Sequence, residues 1–137
     1  MARFVHIPES TNLAFHALAT LGKTTGTLTN INEIAKTLGV SEAHLSKVLQ
    51  AMRKAGFVSA IRGPSGGYAL AKTPSEISLL EIHEALHGST DASACLLKAP
   101  VCPHKCCILG KFAKKLDDDF KLFLFSTTLG AFMTSSQ

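Results

Sequence analysis

The 137-residue sequence contains no tryptophan, a single tyrosine and no long run of apolar residues. A membrane-spanning helix needs about 18 or more consecutive apolar residues, so we expect no span and no membrane partner. The opening MARFVHIPES also lacks the apolar stretch of a secretory signal. These absences predict a cytoplasmic protein. Since 46% of the residues are hydrophobic, its core should consist of aliphatic side chains and phenylalanine.

Cysteine is absent up to residue 94 and then occurs four times, as Cys95, Cys102, Cys106 and Cys107. In a reducing cytoplasm such thiols act more often as ligands or redox sensors than as disulfides. Thiolates are soft ligands that favour iron–sulfur clusters, zinc or copper(I). The segment APVCPHK around Cys102 is rich in turn-forming residues, so it could wrap around an ion. We therefore predict a cysteine-bearing sensor loop.

Positive charge is concentrated in one part of the sequence. Residues 1–75 carry eight Lys or Arg and three acidic residues, whereas residues 76–137 carry six Lys or Arg and seven acidic residues. An excess of positive charge suits a polyanion, and nucleic acid is the commonest one. Enzymatic activity is not expected, because we find neither a Ser–His–Asp arrangement nor a glycine loop that precedes a helix and could bind phosphate.

Three helices are predicted before residue 57. The first, in STNLAFHALATLG, should be capped by Ser10 or Thr11 and should end at Gly22. The second, NINEIAKTLG, begins with Asn30 at its cap. VSEAHLSKVLQAMRKAG follows at once, with Ser41 as its cap. Two helices joined by so short a turn form a helix-turn-helix, whose second helix can lie in the major groove of DNA.

The segment RGPSGG separates two short β-type runs, FVSAI and YALA. Glycine and proline interrupt regular structure strongly, so we predict a hairpin, and a hairpin directly after a helix-turn-helix is a wing. Glycines let a backbone approach a ligand closely because they lack a Cβ. We expect Arg62, Gly63 and Pro64 to contact the minor groove or the phosphates. An ordinary surface hairpin is the alternative.

The segment after the wing predicts a short helix in TPSEISLLEIHEALHG. Ser78 and Glu81 have the spacing of a capping box, and the helix should end at Gly88. His83 and His87 lie four residues apart on one face of this helix, a spacing that also occurs in metal sites. We interpret them as surface or interface residues.

The sequence ILGKFAKKLDDDFKLFLF predicts one amphipathic helix of about 18 residues. Its apolar stripe exceeds what a small winged domain needs, so we expect it to pack against a second copy of the chain. The stripe consists of Ile108, Phe112, Leu116, Phe120 and Phe123. The tail STTLGAFM predicts a short capped helix or turn. The predicted fold is thus mainly α with a small β-hairpin wing. We expect a winged helix-turn-helix DNA-binding domain in 1–88, a sensor loop in 89–107 and a dimerisation helix with a tail in 108–137.

Residues 31–86, followed by CLLKAPVCPHKCCILGKF and TTL, resemble the Rrf2 family of bacterial winged-helix transcription regulators. The most specific part is RGPSGGY behind HLSKVLQAMRKAGFV. The resemblance implies a homodimer that binds a palindromic operator on double-stranded DNA, with a repressor as the expected regulator. By position, the residues expected to face the groove are Ser41, Glu42, Ala43, His44, Ser46 and Lys47.

The resemblance also implies an iron–sulfur cluster, 2Fe–2S or 4Fe–4S, that senses redox state, nitric oxide or iron–sulfur status. By position, the ligands are Cys95, Cys102 and Cys107, with Cys106 as the alternative third cysteine. A residue other than cysteine should complete the site, and the candidates are His16 and His104. Some members of the family lack a cluster. A second hypothesis is therefore the same DNA-binding regulator, switched by cysteine oxidation or by a bound small molecule.

Overall fold

The computed structural model describes residues 6–24, 26–89 and 107–135. Over these ranges the chain is mostly helical, with one two-stranded antiparallel sheet, which confirms the predicted fold class. The elements are α1 (Glu9–Lys23), α2 (Ile31–Leu38), α3 (Glu42–Lys54), β1 (Val58–Ile61), β2 (Gly67–Leu70), a 3-10 turn (Pro74–Glu76), α4 (Leu79–His87), α5 (Gly110–Ser126) and α6 (Leu129–Ser135). Among the helices described, none is both long and apolar enough to cross a bilayer.

The predicted cap of α1 is wrong. The helix begins at Glu9 after Pro8, and no side chain caps it. Thr11 is fully buried, and its hydroxyl oxygen lies 3.1 Å from His83 Nδ1 and 2.9 Å from His87 Nε2. Thr11 therefore joins α1 to α4 rather than capping its own helix.

The predicted end of α1 at Gly22 is also wrong, because the helix continues to Lys23. Gly22 is buried inside the helix, and a Cβ at this position would lie 2.7 Å from the Met133 sulfur of α6. The glycine therefore leaves room for the end of the Met133 side chain against α1. It does not terminate the helix.

The helix-turn-helix has the local geometry that its sequence predicts. Asn30 caps α2 by accepting a hydrogen bond of 2.8 Å from the Asn32 amide. Gly39 ends α2 with a φ of +67°, in the left-handed region that favours glycine. Ser41 then caps α3, accepting a hydrogen bond of 3.2 Å from the His44 amide. The short turn leaves α2 and α3 packed against each other.

The core lies around α1, which contacts α2, α3, α4, α6 and β2. Each helix contributes its apolar face, and burial of such side chains is the main favourable term in folding. Large, fully buried side chains among the described residues are Leu18, Leu21, Ile34, Leu45, Leu49, Met52, Ile77, Leu79, Ile82 and Leu129.

The wing is attached to the helical unit at its base. β1 and β2 pair antiparallel, with Val58 opposite Leu70 and Ile61 opposite Gly67. Thr29, in the loop before α2, exchanges two backbone hydrogen bonds of 2.8 Å with Tyr68 of β2. A Cβ on Gly67 would lie 2.7 Å from the Thr29 carbonyl oxygen, so only glycine allows this approach.

Helices α4 and α6 pack back onto helices that precede the wing. Ser78 and Glu81 form the predicted capping box at the start of α4. The Leu79 amide donates to the Thr127 carbonyl at 2.9 Å, and the Leu129 amide donates to the Ile77 carbonyl at 2.7 Å. These bonds join the start of α4 to the segment between α5 and α6. The tail forms α6, whose first turn is capped by the Thr128 hydroxyl accepting from the Ala131 amide at 3.1 Å.

Candidate functional site

The outward side of α3 carries the residues predicted to face DNA. Ser41, Glu42, Ala43 and Lys47 are exposed, whereas His44 and Ser46 are half-buried. The Glu42 carboxylate accepts a hydrogen bond from the Asn32 side chain, so it also fixes α3 against α2. The opposite side of α3 is turned into the core and consists of Leu45, Val48, Leu49 and Met52.

The tip of the wing is fully accessible. Arg62, Gly63 and Pro64 are all exposed. Gly63 has a φ of +114°, and its carbonyl accepts a hydrogen bond of 3.0 Å from the Gly66 amide, which closes the turn. Because glycine tolerates this φ, the loop stays narrow and presents Arg62 at its edge.

Among the residues that the structure describes, the basic side chains of this surface have no acidic partners. In the part of the chain that the structure describes, the ion pairs lie on α5, between Lys114 and Asp118 at 2.7 Å and between Lys115 and Asp119 at 2.5 Å. Neither Lys47 nor Arg62 has a described carboxylate within ion-pair distance. Their charges therefore remain available to an external anion.

Sequence reasoning missed part of this basic surface. Gln50, Arg53 and Lys54 continue the exposed side of α3 toward the wing, and all three line a groove beside it. Their spacing of three and four residues is the signal that places them on one side of a helix. Lys47 lies on the same side of α3, so the basic surface extends beyond the α3 residues that the sequence predicts to face DNA.

The cysteine segment is described only at its end. Cys95, Cys102, Cys106 and His104 lie outside the described residues. Cys107 is exposed, and its carbonyl accepts a hydrogen bond of 3.3 Å from the Gly110 amide at the start of α5. Within the described ranges, no group of three or more His, Cys, Asp and Glu side chains is arranged to hold a metal ion.

His16 lies on the exposed side of α1. Its Nδ1 donates a hydrogen bond of 2.8 Å to the Asn12 carbonyl, and its ring makes an edge contact with Phe132 at 5.5 Å between centroids. A carbonyl only accepts, so Nδ1 carries a proton, and in the neutral form of the ring the lone pair is on Nε2. This is the arrangement in which a backbone carbonyl orients a histidine that can bind a metal.

His83 and His87 are both on α4, and they form a pair on the side that faces α1. Their ring centroids are 4.8 Å apart, and both rings contact the buried Thr11 hydroxyl. Burial, together with the charge of His87, lowers the pKa of His83. The prediction that they are surface or interface residues is therefore refined, since they connect two helices within the chain.

A helix-turn-helix that buries one side of its second helix, followed by a hairpin fastened beside it, defines a winged helix-turn-helix protein of the transcription-regulator class. The model of the Rrf2 family, described as an iron-dependent transcriptional regulator, matches residues 7–135. The chain therefore belongs to the Rrf2 family and is a DNA-binding transcription regulator.

Several known proteins are similar to this chain. An HTH-type transcriptional regulator of Aquifex aeolicus is 31% identical over 128 residues, which cover 88% of this chain and 86% of that protein. IscR of Escherichia coli is 32% identical over 105 residues, 77% of this chain and 65% of IscR. These relatives are transcription regulators and not enzymes.

Solved structures show the same fold. CymR of B. subtilis, the global cysteine regulator, has a TM-score of 0.76 at 27% identity, covering 98% of this chain and all of CymR. IscR of T. potens has a TM-score of 0.77 at 24% identity, covering 98% of this chain and 90% of that protein.

Proposed function

We propose that the protein is a cytoplasmic homodimeric regulator, acting as a repressor, that binds a palindromic operator. The observation that carries this proposal is the exposed side of α3 lying on the same surface as the unpaired Arg62 of the wing. In a dimer, two such surfaces occupy successive major grooves about 34 Å apart. The α3 contacts are Ser41, Glu42, Ala43, His44, Ser46 and Lys47, and the wing contacts are Arg62, Gly63 and Pro64.

The dimer interface is assigned to an apolar seam on α5. Phe112, Leu116 and Phe123 remain from the predicted stripe, whereas Phe120 is half-buried against the core and Ile108 lies before the helix. Leu109, at the N-terminal cap of α5, joins these three at spacings of three, four and seven residues, which is the heptad spacing of a coiled-coil seam. Their side chains are between 44% and 61% exposed in the single chain. A stripe of this kind is stabilised when a second copy covers it.

Arg62 provides the test of DNA binding. We expect Arg62→Ala to weaken operator binding by about 1–3 kcal/mol, because a guanidinium that enters the minor groove or grips phosphate is lost. The measurement is a gel-shift titration at fixed salt on a fragment obtained by genomic pull-down. Equal affinity of the variant and the wild type would remove Arg62 from the interface.

For the sensor, we propose an iron–sulfur cluster held by Cys95, Cys102 and Cys107, with His16 as the fourth ligand. Two described features support it. The Cys107 thiol is exposed directly before α5, and His16 has its Nδ1 satisfied by Asn12 so that Nε2 can bind iron. Such a cluster supplies a centre that responds to redox state or nitric oxide.

Purification without oxygen tests the sensor. We expect brown protein with visible absorbance and with stoichiometric iron and sulfide. Cys107→Ser should lose the colour, whereas Cys106→Ser should retain it and serves as the control. Colourless protein whose DNA affinity changes on mild oxidation would instead favour the thiol switch. A coupling of about 1–3 kcal/mol between sensor and DNA would change operator affinity about 5- to 150-fold.

A further inference from the structure

A groove of about 680 Å³ lies between the C-terminal half of α3 and the inner side of the wing. Gln50, Arg53 and Lys54 line it from α3, while Arg62 lines it from the wing. Asn30, at the N-terminus of α2, completes the wall. The groove therefore joins three elements that the sequence separates.

The groove is strongly positive. Three of its lining residues are cations, and none of the residues that line it is acidic. Arg53 and Lys54 are exposed and have no carboxylate within ion-pair distance in the described part of the chain. The N-terminal end of α2 adds the positive end of a helix dipole beside Asn30. An anion is the ligand that this set of charges attracts.

The walls of the groove are held in place. Tyr68 lines the groove and is fixed to Thr29 through the two backbone hydrogen bonds at the base of the wing. Gly66 also lines it, and a Cβ at this position would collide with the Ile61 carbonyl oxygen. The fold therefore sets the backbone positions from which α3 and the wing project their cations, which favours recognition of an anion at a defined place.

We propose that this groove seats a backbone phosphate of bound duplex DNA, with Arg53 and Lys54 supplying the charge and Gln50 a neutral donor. The inference rests on the proposed function, since it requires α3 and the wing to approach DNA. It adds a contact that fixes the position of the protein on the duplex without reading bases. Arg53 and Lys54 also lie in the last turn of α3, where cations stabilise the helix dipole, so the test must separate DNA binding from stability.

The experiment compares Arg53→Gln/Lys54→Gln with Lys111→Gln/Lys121→Gln, which removes two exposed charges from α5. Fluorescence anisotropy measures the affinity of each full-length protein for its operator and for an unrelated duplex at several salt concentrations. A two-fold dimer contains the groove twice, so the variant loses one phosphate contact in each subunit. Because each lost phosphate contact lowers the salt slope by about 0.9, the groove variant should lose about 1.8 in slope per dimer. It should lose affinity for both duplexes by the same factor, and the α5 control should match the wild type.

The outcomes are distinct. An unchanged slope for the groove variant, or a loss confined to the operator, would overturn the phosphate seat while leaving DNA binding intact. A wild type that binds neither duplex would overturn the proposed function itself. Saturable binding of inorganic phosphate without DNA, measured by calorimetry, would indicate a site for free anions and would also overturn the proposal. Should the double variant melt early, Lys54→Gln alone should still lower the salt slope, by less than the roughly 1.8 expected of the double variant, because Arg53 stays in each groove.

Discussion

The replacement of Phe123 by alanine tests the dimer seam of α5. Phe123 is 58% exposed in the single chain, and Phe125, two residues further along the same helix, is 66% exposed. At 100° per residue the two rings point to different sides, and only Phe123 shares a side with Phe112 and Leu116. Comparing Phe123→Ala with Phe125→Ala therefore separates the loss of a phenylalanine in the seam from the loss of an exposed phenylalanine elsewhere on α5.

The magnitude follows from the exposed area. A phenylalanine presents about 200 Å², so the exposed part of Phe123 is about 115 Å² and its burial is worth up to about 3 kcal/mol at 25 cal/mol per Å². A two-fold dimer contains the substitution twice. Phe123→Ala should then cost about 4–6 kcal/mol per dimer, which raises the dissociation constant about a thousand-fold or more.

The assay is sedimentation velocity over a dilution series, with circular dichroism to show that both variants remain folded. We expect the wild type and Phe125→Ala to remain dimeric at concentrations where Phe123→Ala is monomeric. If Phe125→Ala dissociates as readily as Phe123→Ala, the seam has been assigned to the wrong side of α5. A wild type that is monomeric throughout the dilution series would contradict the proposed homodimer.

Three further predictions concern stability. Gly66→Ala should destabilise the protein by about 1–3 kcal/mol in urea denaturation, because its Cβ meets a carbonyl of β1. Gly63→Ala meets no neighbouring atom, so any cost there comes from its φ of +114° and not from a collision. Ser78→Ala should cost about 1 kcal/mol through the lost capping bond of α4, seen as a lower Tm. Since His83 has a lowered pKa when folded, its stabilising contribution is complete above about pH 6.5 and is lost as the pH falls through the folded pKa. Acidification should therefore lower the Tm of the wild type more than that of His83→Gln.

Local signals explain what the sequence could predict. The caps at Ser41 and Ser78 and the end of α2 at Gly39 depend on residues within a few positions of each other, so the helix-turn-helix and α4 were located correctly. The glycines of the wing likewise marked the hairpin. The exposed residues of α3 follow from helical periodicity once the inner side is known.

Long-range contacts explain what it could not predict. Thr11 has the residue type of a cap, but its hydroxyl is used by histidines 72 and 76 positions away. Gly22 has the residue type of a helix end, but Met133 determines its role. The groove depends on the backbone bonds between Thr29 and Tyr68, which no pattern of neighbouring residues in the sequence predicts. In each case tertiary packing outweighed a local preference.

The backbone bonds between Thr29 and Tyr68 limit how this regulator can respond to a signal. They join the hairpin to the segment that enters α2, and α2 is packed on α3, so backbone bonds and packing hold the wing and the helix-turn-helix of one chain together. In the proposed homodimer, a signal would then change the spacing or tilt between the two subunits rather than the shape of either one. For the proposed palindromic operator, the half-sites then keep a constant length, and the gap between them is the adjustable quantity.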